Sequence, residues 1–275
     1  MAKWKELKRQ ILAGTKIDSQ GESNTKEFLV SLCKSFNSRG RIPLGQQHDM
    51  SLEDVGYIDN FNVIPDGKDN NHWNLVGDIY FHDIDIDDAL RGFSYSVNQD
   101  LAGDLEKKEV AVYVPFPFYN DHELLNEIAG INNGVVSGAW KKKNADPASL
   151  SLIISFALFL GAPAYTNYWN NKIEPAYKKL RAHLGKKHGI DFVQTCKGPN
   201  GETYGIYFIH AREDEDSCFS LKNVLSGIQL VENHILNDNL AKEKGINLVK
   251  LQYSEENKIF KLRVVEYLDG SIIKH

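Results

Sequence analysis

Cysteine is scarce in this chain. Its 275 residues hold only Cys33, Cys196 and Cys218, an odd number, widely spaced, with no Cys-x-x-Cys. Neither a disulfide framework nor a thiolate zinc site is built from such a set. Nine histidines are present, but no two stand at His-x3-His spacing on one helix, so no metal and no cofactor are expected. A nucleotide-binding loop, a Gly-x-Ser-x-Gly elbow and an internal repeat are all missing. Positive charge is in deficit too: Lys and Arg number 32 against 37 Asp and Glu, a net charge of -5, which leaves no electrostatic footprint for nucleic acid. Lys141-Lys142-Lys143 reads as a solvated linker. The run Asp83, Asp85, Asp87, Asp88 lacks the glycine and closing glutamate of a calcium loop, and reads as an acidic edge or helix start. Met1 to Gln10 is charged throughout, without the apolar core of a signal peptide, so a reducing, cytoplasmic setting is the expectation.

Long apolar runs are also rare, with one exception. Ala148 to Thr166 carries no charge and is rich in Leu, Ile and Phe. About twenty such residues span a bilayer. Here Ser149, Ser151 and Ser155 interrupt the run, and Gly161 and Pro163 stop a helix early. A buried helix from about Pro147 to Leu160 is the expectation, and a membrane-anchored structural protein the alternative.

What is present falls into two grammars. Residues 3–13 and 24–37 read as helices; in the second, Phe28, Leu29, Leu32 and Phe36 recur at helical spacing, Ser23-Asn24 supply capping oxygens and Ser38-Arg39-Gly40 ends it. From Arg41 to Val114 the period is that of strands, broken at Asp66-Gly67 and Asn70-Asn71. A short helix is expected from Asp121 to Ala129, then a loop from Gly130 to Asp146. Beyond it the pattern predicts helices near 147–160 and 174–187, a hairpin of Ile190–Cys196 with Tyr204–His210 around Pro199-Asn200-Gly201, a helix over Leu221–Leu236, and two strands across Glu255-Glu256-Asn257. The expected fold class is α+β. Residues 1–130 form a mostly-β domain with flanking helices, residues 131–146 a linker, and residues 147–275 an α+β domain with an antiparallel sheet and helices on one face.

The chemistry concentrates in two segments. Ile42-Pro43-Leu44-Gly45-Gln46-Gln47-His48-Asp49 puts a histidine at the end of an apolar strand, and Ala89-Leu90-Arg91-Gly92-Phe93-Ser94-Tyr95-Ser96 puts a serine beside a glycine. A serine hydroxyl attacks at neutral pH only if a neighbouring base takes its proton. Gly92 permits close backbone approach, and alternation sends Ser94 and Ser96 to one side of the strand, Phe93 and Tyr95 to the other.

Taken with Val55-Gly56-Tyr57 and Glu109-Val110-Ala111-Val112-Tyr113-Val114-Pro115-Phe116-Pro117, these segments resemble, in order and separation, the prohead (capsid-maturation) serine proteases of tailed phages, which share the herpesvirus-assemblin fold. The likeness covers about residues 40–120. It implies an assemblin-like domain and a serine endopeptidase that cuts a protein partner. His48 would be the general base and Ser94 the nucleophile, with Ser96 as backup. The third member is a histidine in assemblin-type enzymes and acidic in the phage relatives. Glu109 is the first choice here, with Asp49, His122 and the acids around Asp85 as competitors, and Arg91 or backbone N–H groups as oxyanion donors. Herpesvirus relatives act as dimers, so a homodimer is implied as well.

The chain departs from the family in three places. The Gly-Asp-x-Val strand and Pro-Gly-Ala-Phe turn are not visible before residue 40, Ala111 stands where a serine is usual, and Phe116-Pro117-Phe118 replaces Pro-Ala-Asn. A protease fold kept as a non-catalytic interaction module is therefore the second reading. Maturation proteases dispense with their C-terminal region, so over a hundred further residues imply another use of the core, such as cutting one partner in a bacterial stress or defence system.

Overall fold

A computed structural model describes residues 4–17, 23–46, 54–81, 93–94, 96–114, 118–142, 152–156, 162–184, 190–209 and 218–275. The chain divides into two units: Met1–Ser96 with Lys142–Pro147, and Val97–Lys141 with Ala148–His275. The expected division at 131–146 is not where the change occurs. Residues 97–141 join the C-terminal unit, and half of the expected linker, Val135–Lys142, is a strand that buries Val135, Val136 and Ala139.

In the first unit, strands β1 (Lys5–Gly14), β2 (Ile42–Gln46), β3 (Gly56–Asp66), β4 (Asp69–Phe81) and β5 (Phe93–Ser94) form one sheet in the order β1-β4-β3-β2-β5, every pair antiparallel. Helix α1 (Lys26–Arg39) packs against β3 and β4, burying Leu29, Leu32 and Phe36 at one helical face, with Phe36 and Phe61 ring centroids 4.9 Å apart. Its cap is Thr25, whose hydroxyl accepts from Phe28 N at 3.1 Å; Asn24, expected in that role, instead donates its side-chain amide to Gly14 O. Gly40, at φ 83°, ends the helix where the sequence places the stop.

The expected helix over residues 3–13 is a strand, β1. Its apolar residues Leu7, Ile11 and Leu12 mimic helical spacing because two irregularities, between Leu7 and Gln10 and between Ile11 and Ala13, shift the phase of the strand. Pairing with β4 overrides the local pattern.

In the second unit nine strands run in the order β14-β13-β12-β11-β10-β9-β7-β8-β6: β6 (Ser96–Ala102), β7 (Val110–Val114), β8 (Val135–Lys142), β9 (Leu152–Phe156), β10 (Ile190–Lys197), β11 (Thr203–Ile209), β12 (Ile246–Ser254), β13 (Ile259–Tyr267) and β14 (Ile272–Lys274). The sheet is mixed, not antiparallel. Strands β7 and β8, β9 and β10, and β11 and β12 are parallel pairs, and each pair is joined through helix. The helices are α2 (His122–Ala129), α3 (Ala162–Tyr168) with α4 (Glu174–Leu184), and α5 (Leu221–Asn237) followed by α6 (Asn239–Lys244). Parallel neighbours require such crossovers. A π turn, Trp169–Ile173, joins α3 to α4.

These helices share one core with one face of the sheet. Leu124 and Ile128 of α2, Trp169, Ile173 and Leu180 of the α3–α4 stretch, and Val224, Ile228, Val231 and Ile235 of α5 bury against Val110, Val112, Phe192, Phe208, Val249 and Leu251. The helix expected near 147–160 is, in its described part, the strand β9. An uncharged Leu/Ile/Phe run suits a strand hydrogen-bonded on both sides, here by β7 and β10, as well as it suits a buried helix. Among the described residues no helix is long and apolar enough to cross a membrane.

Gly227 marks the closest approach of α5 to the sheet. A Cβ there would lie 2.6 Å from the Phe208 ring and 3.0 Å from Leu251. Phe208 is wedged between Phe192 and Phe260 at centroid distances of 5.1 and 5.0 Å, so it has no room to yield. Gly227→Ala is therefore expected to lower stability by about 1–3 kcal/mol despite alanine's better helix propensity, read as a lower urea midpoint at unchanged slope.

Candidate functional site

The site expected from sequence is built on β2. Ile42 and Leu44 are buried and anchor the strand, and Val55 N donates to Leu44 O at 2.9 Å just before β3 begins. Gly56 opens β3 opposite Phe81. A Cβ at this position would fall on the Tyr80 carbonyl oxygen and 2.8 Å from Phe81 Cα, so the glycine of Val55-Gly56-Tyr57 is required by close approach of two backbones. On its other side β2 pairs with β5: Gly45 stands opposite Ser94 and Gln46 opposite Phe93. The serine-bearing strand and the strand leading to His48 are thus direct antiparallel neighbours. His48, Asp49, Asp85, Arg91 and Gly92 lie outside the described residues, and Ser94 and Ser96 are described by their backbone alone.

Glu109 belongs to the second unit, at the head of β7. Its N–H donates to Gly134 O at 2.9 Å, and its carboxylate is taken by the Lys172 ammonium from the π turn. Lys172 is 15 % exposed, and burial holds its pKa below the usual lysine value. Gly134, at φ 91°, leaves the space: a Cβ would lie 2.7 Å from Glu109 Oε2 and 2.8 Å from Lys107 O. Within its own unit Glu109 is an anchoring charge. His122 opens α2 on the surface, beside the Asp121 cap that accepts from Leu124 N at 2.9 Å.

Sequence reasoning missed a polar cluster on the first sheet. Asp59 and Asp78 face each other across β3 and β4, Glu6 and Tyr80 across β1 and β4, and Tyr57 and Tyr80 across β3 and β4. Tyr80 and Tyr57 stack at 4.9 Å, the Arg41 guanidinium lies 4.2 Å over Tyr57, and Tyr80 donates its hydroxyl to Glu6 at 2.7 Å. That hydrogen bond is the main cause of a raised Tyr80 pKa. Burial pushes the Asp59 carboxyl up, opposed by Arg41 and assisted by Asp78 and Glu6. Glu6, Tyr57, Asp59, Asp78 and Tyr80 lie on three strands and Arg41 just before a fourth, and the register brings them together. Among the described residues no group of three or more His, Cys, Asp or Glu side chains is arranged to hold a metal ion.

No protein-family model matches the chain, nor does any curated protein or solved structure.

Asp78 does the organising here. Its Oδ1 accepts from Arg9 N at 2.8 Å and its Oδ2 from Asn60 Nδ2 at 3.1 Å. Both donors sit at irregularities of the flanking strands with positive φ, 52° at Arg9 and 53° at Asn60. One carboxylate therefore fastens two backbone kinks. Asp78→Ala is expected to cost about 1 kcal/mol in chemical denaturation and Asp78→Asn less, since one acceptor oxygen remains.

Proposed function

We propose that the first unit is an assemblin-like serine endopeptidase of the prohead-protease kind, cutting a specific protein partner in the cytoplasm. The supporting observation is the β2–β5 ladder, in which Ser94 stands opposite Gly45, three residues before His48 in the chain. A nucleophile and its base need to come within hydrogen-bond reach, and this pairing sets their two segments side by side.

In this reading His48 takes the proton of the Ser94 hydroxyl as its oxygen bonds to the scissile carbonyl carbon. The tetrahedral intermediate collapses with loss of the amine, which receives the proton from His48. Water, deprotonated by the same imidazole, then releases the acyl group and restores Ser94. The second unit recognises the partner or controls access to the cleft.

One observation favours the other reading, a protease fold retained as an interaction scaffold. The carboxylate first assigned to orient the imidazole, Glu109, is held by Lys172.

Fluorophosphonate labelling separates the two. The enzyme reading expects modification at Ser94, and a loss of about a thousandfold in rate for Ser94→Ala and for His48→Ala with folding intact. Ser96→Ala is expected to cost far less. An intermediate loss in Glu109→Gln assigns that carboxylate to the imidazole; unchanged labelling leaves it to Lys172. Absence of any labelled serine in the folded chain establishes the scaffold.

A further inference from the structure

The second unit holds a pair of histidines with no part in the proposed chemistry. His234, near the end of α5, and His275, just after β14, meet edge to face with ring centroids 4.9 Å apart and planes at 87°. They line a cavity of about 350 Å³ together with Asn233, Asn237, Asp238, Tyr267 and Ile273. His234 Nε2 is buried without a hydrogen-bond partner.

We propose that this pair is a proton-operated latch holding β14 against the end of α5. The inference is independent of the Ser94 reading.

Strand β14 has a slender hold on the sheet. It pairs with β13 through Val264 with Lys274, Val265 with Ile273 and Glu266 with Ile272, extended by His275 N donating to Arg263 O at 2.9 Å. Among the described residues it is the end strand of the sheet. The histidine contact adds to the packing of Ile273 against the core in fastening the segment near α5.

The surroundings favour a neutral His234. The groups facing it are Asp238 at the junction of α5 and α6, Tyr267 from β13 and His275. Asp238 Oδ2 is 3.8 Å from His234 Nε2, too far for a hydrogen bond, and already accepts the Tyr267 hydroxyl at 2.7 Å. Asp238 Oδ1 accepts from Leu240 N at 2.9 Å, so the carboxylate is committed to capping α6. Lys244, whose ammonium is 5.9 Å from the Tyr267 ring, is spent on Asp269 at 2.7 Å. Burial lowers the His234 pKa, the second imidazole lowers it further, and Asp238 opposes both.

The sign follows. A histidine whose pKa is depressed in the closed state binds a proton more tightly in the open one. The latch is closed above the ordinary histidine value, about 6.5. It weakens as the pH falls through that value towards the depressed one.

Amide hydrogen exchange on the full chain, corrected for intrinsic rates, tests this at pH 7.5 and 5.5. Protection of Ile273 and His275, whose N–H groups face β13, is expected to fall on acidification by up to about tenfold per pH unit, the limit for one linked proton, while β12 amides stay constant. In His234→Gln that pH dependence should vanish. Protection of β14 that ignores pH, or that responds equally in His234→Gln, overturns the latch. Should that variant not fold, the Cε1 proton of His234 titrated by NMR in the native chain and in His275→Gln decides: a value that rises when His275 is removed supports it, and an unchanged value overturns it.

Discussion

The second unit depends on burying one face of a nine-stranded sheet under helices that the chain must supply between parallel strands. Its centre is aromatic. Trp169 packs on Phe219 at 5.0 Å and on Phe192 at 6.2 Å, and Phe192 continues to Phe208 at 5.1 Å, tying the π turn, β10 and β11 together. Each such side chain contributes roughly 1.5–3 kcal/mol by leaving water, more than any surface ion pair in the molecule offers. Polar groups inside this layer are mostly spoken for: Ser137 donates to Leu125 O, and Gln194 donates to Thr195 O while its own oxygen finds no partner. That orphaned oxygen is a cost the apolar burial has to offset.

The first unit works under a different constraint. Its sheet has one helix to cover it among the described residues, and it keeps its strands in phase by local irregularities fixed with side-chain hydrogen bonds. Asp78 shows how: two backbone kinks on either side of β4 are fastened to one carboxylate. Gly56 shows the complementary device, an absent side chain that lets β3 and β4 approach at the point where β2 turns towards β5.

Chain continuity links the two sheets at the candidate nucleophile. Strand β5 ends the five-stranded sheet and β6 ends the nine-stranded one, and only Tyr95 separates them. Ser94 therefore belongs to a backbone stretch whose next residues are hydrogen-bonded in the other unit.

Local signals were strong where one residue type leaves little choice. Gly40 after Phe36, the short helix that begins at Asp121, Pro199-Asn200-Gly201 between two strands, and the helix over Leu221–Leu236 were each legible from the sequence by itself, because capping, turn geometry and helical period act over a few residues. The α+β class came from the same level. Tertiary structure alone decided the rest. Lys5–Gly14 became a strand because β4 pairs with it through two phase shifts, Leu152–Phe156 a strand because β7 and β10 flank it, and Val135–Lys142 an ordered strand instead of a linker because β7 lies alongside. The pairings of Glu109 with Lys172 and of His234 with His275 join residues 63 and 41 positions apart in the chain. Nothing in a local pattern encodes such contacts, since they exist only once the sheet register has been set by burial of the whole face.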